Sequence, residues 1–156
     1  YVGVKRYLAG LGSDRGELVL ELHNRHPTAS IRAHVLETLP WFLRVYLHTL
    51  RFTVDGTPLE PWSALQEGHV SPAGIRQGMT LLEYSLELPP ASLSTIQVAF
   101  DKAFLHIDEF PPDANRGFDL PAARVTYAPP AHPTTPPQEE GIPHASCRDL
   151  AAGVAG

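Results

Sequence analysis

Histidines supply the residues whose type and spacing come closest to chemistry. "HNRH" places His23 and His26 three residues apart, a spacing that suits a shared metal on a helix. On an extended strand the two imidazoles point to opposite faces, so one ion cannot join them. Pro27 follows at once and no acidic or cysteine ligand is fixed nearby, so the pair reads as polar strand-end residues. His48 lies in an apolar run, where a lone histidine is usually hydrogen-bonded in a core or an interface; His34 and His106 read as face or edge residues. Asp101, Asp108 and Glu109 form a run of acids with no sign of the two environments a general acid and base require. Ser30, Ser92 and Ser94 lack a nucleophile-elbow context. "GLGSDRG" at 10–16 lacks the lysine and following helix of a phosphate loop, and reads as a turn. The single cysteine, Cys147, sits in a proline-rich tail where nothing would activate a thiolate. The sequence thus predicts no catalytic, cofactor or metal site.

The elements that must position these residues are strands. "GELVLELHNRHP" sets Leu18, Leu20 and Leu22 on one face against Glu17, Glu21 and His23, and ends at Pro27. "SIRAHVLETLP" alternates Ile31, Ala33 and Val35 with Arg32 and His34, and its pattern slips at Leu36, predicting a bulge or bend before Pro40. Val45 to Val54 is apolar on both faces, which predicts a central strand covered on both sides. "DGTP" at 55–58 is turn chemistry, with Gly56 free to take positive φ. Residues 59–79, broken by prolines and glycines, predict a long irregular loop with room for one short helical turn. "TLLEYSLEL" and "STIQVAFDK" alternate strictly, and the "PPAS" between them predicts a hairpin. "AFLHIDEF" continues the second strand to Pro111, and Asp113, Asn115 and Gly117 make a loop.

Composition bounds the rest. The 156 residues suffice for one domain with a core, 43% hydrophobic and 19% charged. A net charge of −5, with scattered Lys and Arg, excludes the basic footprint of nucleic-acid binding. Sixteen prolines limit uninterrupted helix. The fold class predicted is mostly β: an antiparallel β-sandwich-like domain over 1–127 and a disordered Pro-rich tail over 128–156, too poor in large apolar residues to offset its ordering entropy. No stretch reaches the roughly 20 apolar residues of a membrane helix. Beginning at Tyr1 with neither an initiating methionine nor a signal pattern, the chain reads as a fragment or a mature form.

"LPWFLRVYLHTL" at 39–50 is the most apolar and aromatic stretch. Trp41, Phe42, Arg44, Tyr46 and His48 have the composition of an interface hot spot; aromatics at strand spacing are also what a domain's own core contains. On the residues alone the core reading is favoured, because most aromatics at strand spacing are core.

This stretch carries a resemblance. In "PWFLRVYLHTL", Pro40, Trp41, Arg44, Tyr46, His48, Thr49 and Leu50 match a pattern P-W-[YF]-x-R-x-Y-x-H-T-L, with Phe42 where tyrosine is usual. With "GELVLELHNRHP", "LELPPASLSTIQVAFDKAFL" and "PPDANRGF", in order and spacing over residues 5–120, it resembles the PIG-T family. The resemblance implies a non-catalytic subunit that stabilises the GPI transamidase at the endoplasmic reticulum membrane. That complex attaches GPI anchors to precursor proteins. It also implies a lumenal β-rich fragment partnered by the cysteine-protease-like catalytic subunit and the other membrane subunits, with membrane association through regions outside this chain. The tail departs from the family pattern, and Cys147 does not stand for the cysteine that links the family to its catalytic subunit. Two other readings compete. One is a free-standing β-sandwich binding protein or carbohydrate; the other is a hydrolase using His23 or His26 with a metal.

Overall fold

A computed structural model describes residues 1–10, 14–113 and 115–129. Nine strands form two antiparallel sheets. They are β1 (Val2–Ala9), β2 (Arg15–Asn24), β3 (Ile31–Pro40), β4 (Leu43–Val54), β5 (Thr57–Leu59), β6 (Gln66–Ser71), β7 (Met79–Leu88), β8 (Leu93–Lys102) and β9 (Arg124–Tyr127). One sheet runs β1-β2-β8-β4-β5 and the other β6-β7-β3-β9. A single helical turn, α1 (Pro61–Ala64), and a 3₁₀ turn (Ile107–Glu109) complete the elements among the described residues. The β-sandwich expected from alternation is the architecture found. The Pro-rich tail lies, from residue 130 on, outside the described residues.

The core is the layer between the sheets. Leu18, Leu20 and Leu22 of β2 and Ile96, Val98 and Phe100 of β8 face Ala33 and Val35 of β3 and Leu82, Leu86 and Leu88 of β7. Gly16 keeps the same inward parity opposite Phe100, and a side chain there would meet the Phe100 ring at 2.8 Å and the Ala9 carbonyl at 2.6 Å. Only glycine lets that ring lie over the strand.

The expected β7–β8 hairpin is corrected. Both strands exist, but β7 pairs with β3 and β6, whereas β8 pairs with β2 and β4. The link crosses from one sheet to the other. Pro89 and Pro90 cannot donate to a ladder, and the buried Asn24 takes its place: its Nδ2 donates to the carbonyls of Ala29, Leu88 and Pro89 at 2.8–3.0 Å. Its Oδ1 accepts from the His26 amide at 2.9 Å. The two alternating faces therefore meet across the core rather than side by side.

The slip at Leu36 is also corrected. β3 pairs with β7 without interruption from Ile31–Leu88 to Pro40–Met79. What looked like a slip is a charged residue, Glu37, in an inward position. β4 is not covered on both faces: Arg44, His48 and Arg51 on its outer face are exposed, and its neighbour β5 pairs only with Phe52 to Val54. The "DG" turn between them has positive φ at Asp55 (48°) and Gly56 (79°), the two-residue turn whose twist suits a hairpin.

Four further strands depart from expectation or went unread. In the supposed loop 59–79 the helical turn α1 fits the expectation, whereas the edge strand β6 does not: its exposure on both faces leaves no alternation to read. β8 ends at Lys102 rather than running to Pro111. β1 and β9 carry no clear sequence signal. In β1 the inward series Val2, Val4, Arg6, Leu8 is broken by an arginine, and β9 is only four residues long.

Candidate interaction surface

Arg6 explains itself through Glu37. The two side chains, 15% and 3% exposed, meet at 3.0 Å between the sheets, and Arg6 Nη1 donates to the Pro121 carbonyl at 2.9 Å. Burial raises the Glu37 carboxyl above its usual range, and the Arg6 charge opposes that rise. Tyr84 is pushed far above the phenol range, first by burial and then by the Glu37 charge. This pair ties β1 to β3 and to the segment leading into β9.

The opposite flank is open. From Leu43 to Arg51 no described strand pairs with β4 on the side away from β8. Within that stretch the register with β8 jumps from Tyr46–Ala99 to Arg51–Gln97. Thr49 fills the gap, its Oγ1 accepting from the Ala99 amide at 2.9 Å and donating to the Tyr46 carbonyl at 2.6 Å. The bulge turns both Leu47 and Leu50 toward the space between β4 and β6. That space is a mainly apolar groove of about 360 Å³, walled by Trp41, Leu43, Val45 and Leu47 on one side and Val70 and Ile75 on the other, with Arg44, Arg76 and Thr80 also in its lining. A narrower slot of about 60 Å³ follows beside Leu50, Trp62 and Leu65.

The five residues singled out in the sequence do not form one patch. Trp41 and Phe42 make the two-residue crossing between β3 and β4. Trp41 walls the groove, with the Arg76 guanidinium 5.1 Å from its ring centroid. Arg76 is itself held by Glu109, donating from Nε to Oε1 at 2.9 Å. Phe42 packs on the core beside Leu43 and on Phe118 at 4.8 Å between centroids. Arg44, Tyr46 and His48 alternate onto the outer face. Tyr46 donates to Asp101 Oδ2 at 2.8 Å, which raises its phenol pKa, and its ring lies 5.8 Å from that of His48.

The histidines are accounted for locally. His23 is exposed, and His26 Nδ1 accepts from the amides of Thr28 and Ala29 at 3.3 and 2.9 Å, ordering the bend after β2. Sequence reasoning missed a contact between His34 Nδ1 and Ser85 Oγ at 2.7 Å, because the two lie on different strands. Ser85 donates to Glu67 Oε2 at 3.0 Å, a carboxylate whose pKa is lowered by that bond and by Arg32. The hydroxyl proton thus points at the acid, and His34 donates to Oγ instead of receiving from it. This is the reverse of an activated nucleophile. Among the described residues no three His, Cys, Asp or Glu side chains converge as metal ligands, and no helix is long and apolar enough to cross a membrane.

Comparison with known proteins adds what geometry does not. Residues 1–148 match the family model described as Gpi16 subunit, GPI transamidase component. The mouse GPI-anchor transamidase component PIGT is 34% identical over 144 residues, 92% of this chain and 24% of that protein. The human protein of the same name is 36% identical over 118 residues, 76% of this chain and 20% of that one. The PIG-T homolog of Schizosaccharomyces pombe is 36% identical over 126 residues, 80% and 23% respectively. The chain therefore spans about a quarter or less of the length of these relatives. With the match covering nearly all of it, the chain belongs to the Gpi16 family of GPI transamidase components.

Proposed function

We propose that this chain is a non-catalytic, stabilising domain of a GPI transamidase subunit, supporting attachment of GPI anchors to precursor proteins. The observation that carries the reading is the family match over residues 1–148. The Ser85–His34 contact, with its hydroxyl proton directed to Glu67, is consistent with chemistry performed elsewhere in the complex. The domain works on the lumenal side of the endoplasmic reticulum membrane. Its partners are the cysteine-protease-like catalytic subunit and the other membrane subunits. Trp41 and Arg44, which both line the groove, and Tyr46 and His48, on the outer face, offer two contact surfaces.

The test is recovery of a tagged native-length protein from eukaryotic membranes in mild detergent. Trp41→Ala and Tyr46→Ala/His48→Ala variants are compared with the parent. Co-recovery of the cysteine-protease-like subunit supports the reading, and a variant that folds but loses recovery identifies the surface in use. Absence of every transamidase subunit from the parent's recovery overturns it, leaving a free-standing binding module.

A further inference from the structure

We propose that the unpaired edge of β4, from Leu43 to Thr49, accepts an extended strand from another polypeptide, one that alternates apolar and acidic residues. Three observations converge. The edge lacks a strand partner among the described residues, so its backbone groups are available for ladder bonds. The groove beneath it is mainly apolar and open, and at about 360 Å³ it is large enough to receive side chains from every second residue of such a strand.

The third observation is charge. β4 carries Arg44 and Arg51, both exposed, and no acidic residue. Three neighbouring acids are already engaged, and a fourth, Glu83, lies farther along, at the narrower slot. Asp101, opposite Arg44, accepts from Tyr46 and pairs with Arg15. Glu67 of β6 is turned to Arg32 and Ser85, and Glu109 holds Arg76. Arg44 and Arg51 enter no ion pair among the described residues. An incoming strand with outward carboxylates would meet them both.

The same charges argue against a second copy of this chain. A second copy pairing along this edge would bring its own Arg44 and Arg51, and no β4 carboxylate, to meet those already there. Like charges directly opposite each other destabilise a strand pair. The inference rests on the assembly reading only in taking the strand from another subunit.

The experiment uses the purified chain and blocked peptides of about nine residues, a usual strand length, alternating valine with glutamate or with lysine. Fluorescence anisotropy measures affinity, and amide hydrogen exchange locates binding. The glutamate peptide is expected to bind about tenfold or more tighter than the lysine peptide, slowing exchange at residues 43–49. Arg44→Glu/Arg51→Glu, both on exposed positions, should reverse the preference while the far-UV spectrum is unchanged. Equal affinity for both peptides, no binding, or protection elsewhere overturns the proposal. So does concentration-dependent self-association that protects the same amides without peptide. These results are independent of recovery from membranes, so failure of one reading is distinguishable from failure of the other.

Discussion

Where β1 meets β3 and the approach to β9, the sandwich is closed by a polar strut, Arg6 to Glu37, with Pro121 as the third member. On the opposite flank, between β4 and β6, no such strut exists among the described residues, and leucines and a tryptophan line an open groove. Both flanks end a sheet pair, yet one buries charge and the other leaves apolar surface accessible. A buried ion pair contributes little net stability against an apolar replacement, and breaking it is costly. An apolar groove costs burial it could have had. The closed flank fixes how the sheets sit together, and the open flank leaves room for a partner.

The comparison breaks most visibly at Arg6. Arg6→Met leaves Glu37 buried without its cation and should destabilise the domain by about 3–5 kcal/mol, measured by urea unfolding at neutral pH. Arg6→Met/Glu37→Met should recover most of that loss. If the double variant is as unstable as the single, the strut is doing more than pairing charge.

The pH dependence follows from the direction of the Glu37 shift. Burial raises its folded-state pKa above the unfolded value, so the folded form holds the proton more tightly. Stability from this group is present below the unfolded pKa and falls as pH rises through the folded one. Removing the Arg6 charge raises the folded pKa further. The deficit of Arg6→Met relative to the parent should therefore shrink in acid and grow toward neutral pH. Comparing parent and variant cancels the surface carboxylates Glu67 and Glu109, whose lowered pKa values act in the opposite sense.

On the open flank, Thr49→Val removes the hydroxyl that satisfies Ala99 and Tyr46 within the bulge. A loss of about 1–3 kcal/mol is expected, with faster amide exchange at Ala99 and little change in β2. The smallest effect belongs to Arg44→Glu, within about 0.5 kcal/mol of the parent because the side chain is exposed. A larger loss in thermal unfolding would mean that Arg44 supports the fold and is not held for a partner.

Strands with one wet face were legible: β2, β7, β8 and the first half of β3 follow their alternation, and the Gly56 turn falls where its chemistry put it. The family resemblance was equally legible, because "PWFLRVYLHTL" is a contiguous pattern. What the residues did not show was who pairs with whom. Two strictly alternating strands joined by a proline corner look the same whether they share a sheet or face each other across a core. Asn24, distant in sequence, anchors that corner. Trp41 and Tyr46 were likewise readable as a candidate surface, but not as parts of two different faces, since the crossing between sheets and the Thr49 bulge decide which way each points.

Alternation and turn chemistry, being local, determined that this chain makes a β-sandwich and where most of its strands lie. Pairing order, the inward place of Arg6 and Glu37, and the open edge of β4 depend on contacts between residues far apart in the chain. Only the tertiary structure could decide them, because a charge is tolerated in a core solely by virtue of what is placed opposite it.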